Sequence, residues 1–222
     1  MSIALTRSYT AFNTSDSDTL TLTITVAPLA GSLLIAWVVH DDLGTATPSG
    51  WTLLGSDAQT NSQSEKLTLF YKIAAGTETS IVFDPDAPFN SMMAATYTEW
   101  SGTTQAPLGF QITGAGTTLN FIDAPNSSPV PTGGVSVAIA SGTRNQTAAS
   151  TWTTSGTNWT EITDVGTTTT APNKSTTAAT NVVDTGTVTG PTFTANGTQS
   201  ARSAASFYLQ AISIGSPLMM SL

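Results

Sequence analysis

His40 is the chain's one histidine, and Asp41 and Asp42 follow it directly. A Ser-His-Asp arrangement would also need a serine on a sharp turn such as Gly-x-Ser-x-Gly, and no such turn is written in the sequence. His40 instead closes the apolar run Leu33 to Val39 and reads as a residue at a strand terminus. Asp16-Ser-Asp18, Asp41-Asp42 and Asp84-Pro-Asp86 offer hard oxygen ligands in loops. None has the spacing of a Ca²⁺-binding loop, and Asp and Pro are ordinary turn formers. A glycosidase would need two of the 14 acids to flank the glycosidic bond, and no pair is singled out. Gly114-Ala-Gly-Thr-Thr-Leu119 lacks the third glycine and the following helix of a dinucleotide loop, so it is read as a turn. With no cysteine, disulfides and thiolate metal sites are excluded. No catalytic, cofactor-binding or metal-ligating residue is assigned, and a non-enzymatic role without cofactor is expected.

The aromatic residues have a chemistry of their own. Trp51, Trp100, Trp152 and Trp159, with Tyr71 and Tyr97, have the types needed for a sugar-stacking platform. Trp51 and Trp159 hold equivalent places in an internal repeat, which predicts a shared packing role. Trp152 lies in a polar stretch and is the aromatic expected to be exposed.

The elements that position these residues are strands. Leu20-Thr-Leu-Thr-Ile-Thr-Val26 alternates, predicting a half-buried strand with Leu20, Leu22, Ile24 and Val26 on one face. Gly31 to His40 is a continuous apolar run, short enough for a strand buried on both faces. Lys66 to Ile73 alternates again, with Leu67, Leu69, Tyr71 and Ile73 inward. Ser80-Ile-Val-Phe83 is a short strand; in Ser91 to Trp100 the Met-Met-Ala-Ala start allows a short helix, but the Thr, Tyr and Trp that follow favour a strand.

The second half retraces this order. Gly134 to Ala140 stands for Gly31 to Trp37 at an offset of 103, and Asn158-Trp-Thr160 for Gly50-Trp-Thr52 at 108. Pro191-Thr-Phe-Thr194 stands for Ser80 to Phe83, and Ala204 to Tyr208 for Ala94 to Thr98 at 110, so the matches keep their order while the offset rises from 103 to about 110. The expected architecture is therefore all-β: an antiparallel β-sandwich of two related modules, 1–111 and 112–222. One large sandwich over 1–222 is the alternative. Gly142 to Gly156 and Gly166 to Thr189, rich in Thr, Ala, Asn and Gly, are expected to be long loops or edge strands packed on another chain.

Only 9% of the 222 residues are charged, against about 25% in ordinary soluble domains. Solubility rests on hydroxyls and amides, and a weakly charged, Thr-clad surface suits a protein packed against neighbours. The net charge of −8 resides almost wholly before residue 112, where Arg7, Lys66 and Lys72 face ten of the acids. Six scattered basic residues cannot track phosphates, so neither nucleic acid nor an anionic membrane is an expected partner. Met1 to Arg7 shows no secretory pattern, and Leu33 to Val39 is too short to span a bilayer as a helix. The apolar tail, with Pro217, Leu218, Met219, Met220 and Leu222, supplies the candidate subunit contacts.

Read in order, Pro28 to Val39, Gly50-Trp-Thr52, Leu67 to Gly76 with its Tyr-Lys-x-Ala-Ala-Gly ending, Ile81 to Phe83 and Met92 to Trp100 resemble a β-sandwich module of tailed-phage and prophage virion proteins. The resemblance covers roughly residues 20–102 well and 119–214 loosely, and similar modules occur in bacterial surface proteins. It implies a jelly-roll-like fold, a structural or adhesive role in a particle, and no catalytic residues. The expected function is a capsid decoration (cement) protein, a homo-oligomer whose partners are the major capsid protein or other virion proteins. Its expected location is the virion, after synthesis in the cytoplasm of the bacterial host. A tail-tip or fibre receptor-binding protein and a carbohydrate-binding module of a surface protein are the alternatives.

Overall fold

A strand that is apolar at every position needs cover on both faces, and Leu33–His40 receives it from two different layers. The structure, a computed structural model, describes residues 2–14, 17–41, 44–60, 63–84, 92–144, 150–167, 173–182 and 186–212. Among them there is no helix. The first half contains β1 (Ala4–Phe12), β2 (Leu20–Thr23), β3 (Leu33–His40), β4 (Thr52–Thr60), β5 (Ser64–Ile73), β6 (Ser80–Phe83) and β7 (Ala94–Ser101). The second contains β8 (Leu108–Ala115), β9 (Leu119–Asp123), β10 (Ser127–Val130), β11 (Val135–Arg144), β12 (Trp152–Ser155), β13 (Thr160–Gly166), β14 (Asn173–Val182), β15 (Gly186–Val188), β16 (Thr192–Gln199) and β17 (Ala201–Leu209).

Each half is an antiparallel sandwich. In the first, a sheet ordered β1-β7-β3-β5-β4 is covered on one face by the ribbon β2-β6. First strand pairs with last and second with next to last, which is the nested pairing of a jelly roll. The second half repeats it as β13-β14-β11-β17-β8, covered by β12-β16-β9 and flanked by the extra ribbon β10-β15. The strands correspond one to one: β1 to β8, β2 to β9, β3 to β11, β4 to β13, β5 to β14, β6 to β16 and β7 to β17.

The two sandwiches are joined through the bare faces of their five-stranded sheets, giving four layers. Side chains alternate between faces along a strand. Leu33, Ile35 and Trp37 of β3 therefore meet Val135, Val137 and Ile139 of β11 in a central core completed by Leu67, Leu69, Trp100, Phe207 and Leu209. Leu34, Ala36 and Val38 point the other way, into a core under β2-β6 with Leu20, Leu22, Ile81, Phe83 and Tyr97. Ala138 and Ala140 likewise point outward, to Trp152, Phe193 and Ile122. The union is pseudo-symmetric, because β4 packs on β8 as β13 packs on β1, and β5 packs on β17 as β14 packs on β7.

The repeat predicted from sequence is present, with its register corrected. Ser32 N–H closes a turn on Leu29 C=O at 3.0 Å, and Gly134 N–H closes one on Pro131 C=O at 2.9 Å. Gly31 and Gly133 precede them with φ of +85° and +72°, which fixes the β3 to β11 offset at 102 rather than 103. The Ala94 to Ala204 match is off by one as well. Leu33 pairs with Trp100 and Val135 with Leu209, an offset of 109 rather than 110 between β7 and β17. Ile24 N–H bonds Thr79 C=O as Ala124 N–H bonds Pro191 C=O, placing β6 on β16 at 112. The offset therefore falls between the last two strands, because the link from β6 to β7 is longer than the link from β16 to β17. A one-residue slip turns every side chain to the opposite face, so these corrections decide which residues are inside. The Gly50 and Asn158 match at 108 stands: both have positive φ, +76° and +64°, and Asn is the side chain that tolerates that conformation. A bulge follows three residues later in each copy, at Leu53/Gly55 and Glu161/Thr163.

Other expectations change. β2 ends at Thr23, and Val26 is 53% exposed. Arg7 Nη1 holds the Ala27 carbonyl at 2.8 Å, which fixes the chain after it has left the ribbon. Ile73 is exposed rather than inward. The boundary between the halves falls before Leu108, not at 111, because β8 pairs with β17. Gly166 to Thr189 holds no edge strand awaiting another chain in β14, which lies between β13 and β11 and is buried almost throughout. Its Thr176 and Thr177 hydroxyls donate to the Ala140 and Thr163 carbonyls, each at 2.8 Å, so the threonines serve neighbouring strands.

Candidate functional site

Residues with perturbed chemistry gather at one end of the central core. Glu65 on β5 is fully buried and accepts a hydrogen bond from Ser141 on β11. Burial pushes its carboxyl up to about 7, against the pull of the Ser141 hydroxyl and the Lys174 ammonium. Lys174 on β14, also fully buried, donates to Ser64 C=O at 2.6 Å and to Thr143 Oγ1 at 2.9 Å. Asp57 on β4 accepts from Ser203 Oγ at 2.8 Å and Gln59 Nε2 at 2.7 Å. Arg202 on β17 holds Thr117 C=O at 2.7 Å. Nearly every bond in this network joins one sandwich to the other or fixes a strand end. Glu65 and Lys174 have no exposed surface through which to meet a substrate, so the network is a cross-brace.

His40 lies beside it, 1% exposed at the end of β3, with Nε2 2.8 Å from Thr45 Oγ1. Burial, reinforced by Lys66 and Lys174, lowers its pKa to about 3 and keeps the ring neutral. Asp16, Asp42 and Asp86 lie outside the described residues. Among the described residues no three of His, Cys, Asp or Glu converge as a metal site would require.

Trp152 is not the exposed aromatic expected. It is 3% exposed because the start of β12 lies against the outer face of the second sheet, with Nε1 donating to Ser175 Oγ at 3.0 Å. Its backbone N–H reaches Asp164 Oδ2 at 3.0 Å. Trp51 is buried in the first sandwich's outer core, in line with the packing role read from the repeat. Trp159 is only partly buried, and its indole N–H reaches Thr189 C=O at 3.0 Å. Pro217, Leu218, Met219, Met220 and Leu222 lie outside the described residues.

One concavity of ligand size is present in the second sandwich. It is a cleft of about 450 Å³ lined by residues 156–158, by Asn181 and by residues 187–190, Thr157 and Val188 among them. Its described walls combine amides, hydroxyls and peptide groups with apolar surface that includes Val188. Neither Asn181 nor Gly190 stands out in the sequence. Their significance emerges only when the repeat is aligned in its structural register and they fall opposite a pair of charges. Against models of protein families, curated proteins and solved structures alike, the chain finds no match.

Proposed function

We propose that the chain is a non-enzymatic structural protein of a tailed-phage virion, a decoration protein that clamps the shell through repeated weak contacts. The observation that carries this reading is the disposition of charge. The buried charged groups brace the molecule internally, and the outer layers present sparsely charged strands rich in Thr and Ser. A contact made through those layers desolvates few ionic groups. Many copies of a modest interface sum through multivalency, so no single contact needs to be strong. Clamping a shell calls for a stiff body, and four layers sharing three cores provide one. The test is biochemical. Particles banded on a density gradient from cells carrying the gene are probed with antibody against this chain. Co-migration with the shell protein in many copies per particle is expected, whereas recovery only in the unassembled fraction defeats the proposal. A receptor-binding role at the tail tip or fibre is the second reading, favoured by the cleft between Gly156 and Gly190.

A further inference from the structure

We infer that the cleft of the second sandwich is a binding site for a neutral sugar residue, a site the first sandwich keeps closed. The inference does not require the decoration role, and it gives the receptor-binding reading a ligand class.

The duplicated halves allow a direct comparison. With β5 on β14 at an offset of 109 and β6 on β16 at 112, Lys72 corresponds to Asn181 and Glu78 to Gly190. In the first sandwich Lys72 Nζ meets Glu78 Oε1 at 2.9 Å, and Glu78 also accepts from the N–H groups of Ala75, Gly76 and Thr77. A Cβ on Gly50 would stand 3.6 Å from Lys72 Nζ, so the ion pair fills the space beside that turn. In the second sandwich both charges are gone, and the positions of Gly50, Lys72 and Glu78 are taken by Asn158, Asn181 and Gly190. Those three residues line the cleft.

The exposed space is chemically prepared. Asn181 is 4% exposed, and its Nδ2 donates to Thr157 C=O at 3.0 Å, which fixes the orientation of the amide. Its Oδ1 is then left without a partner, a buried acceptor that needs a donor. Ser136, directly across the ladder on β11, has a buried hydroxyl in the same condition, where the first sandwich has Leu34. Trp159 stands behind the lining rather than in it, packed against Gly156 and with its indole N–H holding Thr189 C=O. Thr187 and Thr189 add exposed hydroxyls at the mouth. Neutral donors and acceptors beside the apolar Val188 match a polyhydroxylated ring, whose hydroxyls both donate and accept while its C–H face takes an apolar contact. The absence of charged side chains among the described lining residues disfavours phosphates and carboxylates. The volume lies in the range of about 300–1,000 Å³ for small-molecule sites.

The intact ¹⁵N-labelled chain is titrated with glucose, galactose and N-acetylglucosamine, each to about 50 mM, a range that captures weak single-residue binding. At least one sugar is expected to shift amide signals clustered at 156–159, 181 and 186–190. Asn181→Leu, which removes the orphan acceptor, is expected to weaken that binding about tenfold or more, the worth of one well-placed hydrogen bond. Because the first titration uses the unaltered chain, poor folding of the variant does not shield the inference. Lack of response to all three sugars, shifts centred elsewhere, or undiminished binding by a folded Asn181→Leu variant each overturns it. None of these results bears on co-migration with particles, so the two proposals fail separately.

Discussion

Glu65 has no water with which to share a charge, and its partners are a serine hydroxyl and the ammonium of Lys174. In the aligned repeat Glu65 and Lys174 are the same position of the two modules. Two identical modules joined in this way would bury like charges near their pseudo-dyad, a costly arrangement. Opposite charges at the equivalent sites specify a fused, unequal pair. The raised pKa has a definite thermodynamic sign. Between 4.5, its value without the fold, and about 7, the folded chain holds a proton that the unfolded chain has released. Stability contributed at this site is therefore fully present below 4.5 and declines as pH rises through that window. His40 acts in the opposite direction, since a ring held neutral to about 3 loses stability as pH falls from 6.5. Between 4.5 and 6.5 these two contributions oppose each other. Glu65→Gln keeps an acceptor for Ser141 and removes the titration. Urea unfolding at about pH 5 and about pH 7.5 is expected to show the variant gaining, relative to wild type, on the order of 2–3 kcal/mol between the two conditions. Equal pH responses of the two proteins would show that Glu65 does not titrate in that window.

At the scale of elements, what could be read from the sequence was set by side-chain size. Leu20 and Leu22 against Thr21 and Thr23 announce a half-buried strand, and β2 is one. The run Leu33 to Val39 announces cover on both faces, and β3 has it. β14 makes the opposite case. Asn173-Lys-Ser-Thr-Thr-Ala-Ala-Thr reads as soft and polar, yet it is a central strand, because facing Trp37 and Trp152 leave room only for small residues. Trp37 Nε1 donates to Thr176 Oγ1 at 2.8 Å, and Trp152 Nε1 donates to Ser175 Oγ. Size complementarity across layers is invisible to a periodicity test on one strand. The one-residue register errors in the repeat have a related origin. Gly134-Val aligns as readily with Gly31-Ser as does Gly133-Gly, and only the turn hydrogen bonds and the facing pattern separate them. The candidate site was hidden for the same reason, since Asn181 and Gly190 matter by contrast with Lys72 and Glu78. The four-layer arrangement makes a testable statement about β3. Trp37→Ala on its central face is expected to cost about 3–5 kcal/mol, and Leu34→Ala on the opposite face about 2–5 kcal/mol. In an ordinary sandwich one of these faces would be wet and its substitution nearly silent, within about 0.5 kcal/mol. Denaturant midpoints for the two variants decide between these pictures.

For the whole molecule the question is whether two jelly-roll-like modules amount to two folding units. Their outer cores are separate, which taken alone would favour independent folding. The central core argues otherwise, because it draws Leu33, Ile35, Trp37, Leu67, Leu69 and Trp100 from one half and Val137, Ile139, Phe207 and Leu209 from the other. The bonds from Ser141 to Glu65, Lys174 to Ser64, Ser203 to Asp57 and Trp37 to Thr176 all cross the same seam. Opening the seam would wet a large apolar face on each half and part Glu65 from Ser141 and Lys174 from Ser64. Each half separated from the other is therefore much less stable than the pair, and the chain is expected to unfold in one step. Calorimetry gives the number that decides. At about 0.7 kcal/mol per residue near 60 °C, a single unit of this length has a van't Hoff enthalpy of about 150 kcal/mol, equal to its calorimetric value. Independent modules would give about half that for each transition, with the calorimetric total exceeding either van't Hoff value. Residues 1–105 expressed alone are expected to self-associate through the uncovered Trp37 face, as concentration-dependent sedimentation would show. A monomeric, cooperatively folded half-chain would mean that the seam merely docks two finished modules and contributes little to holding either together.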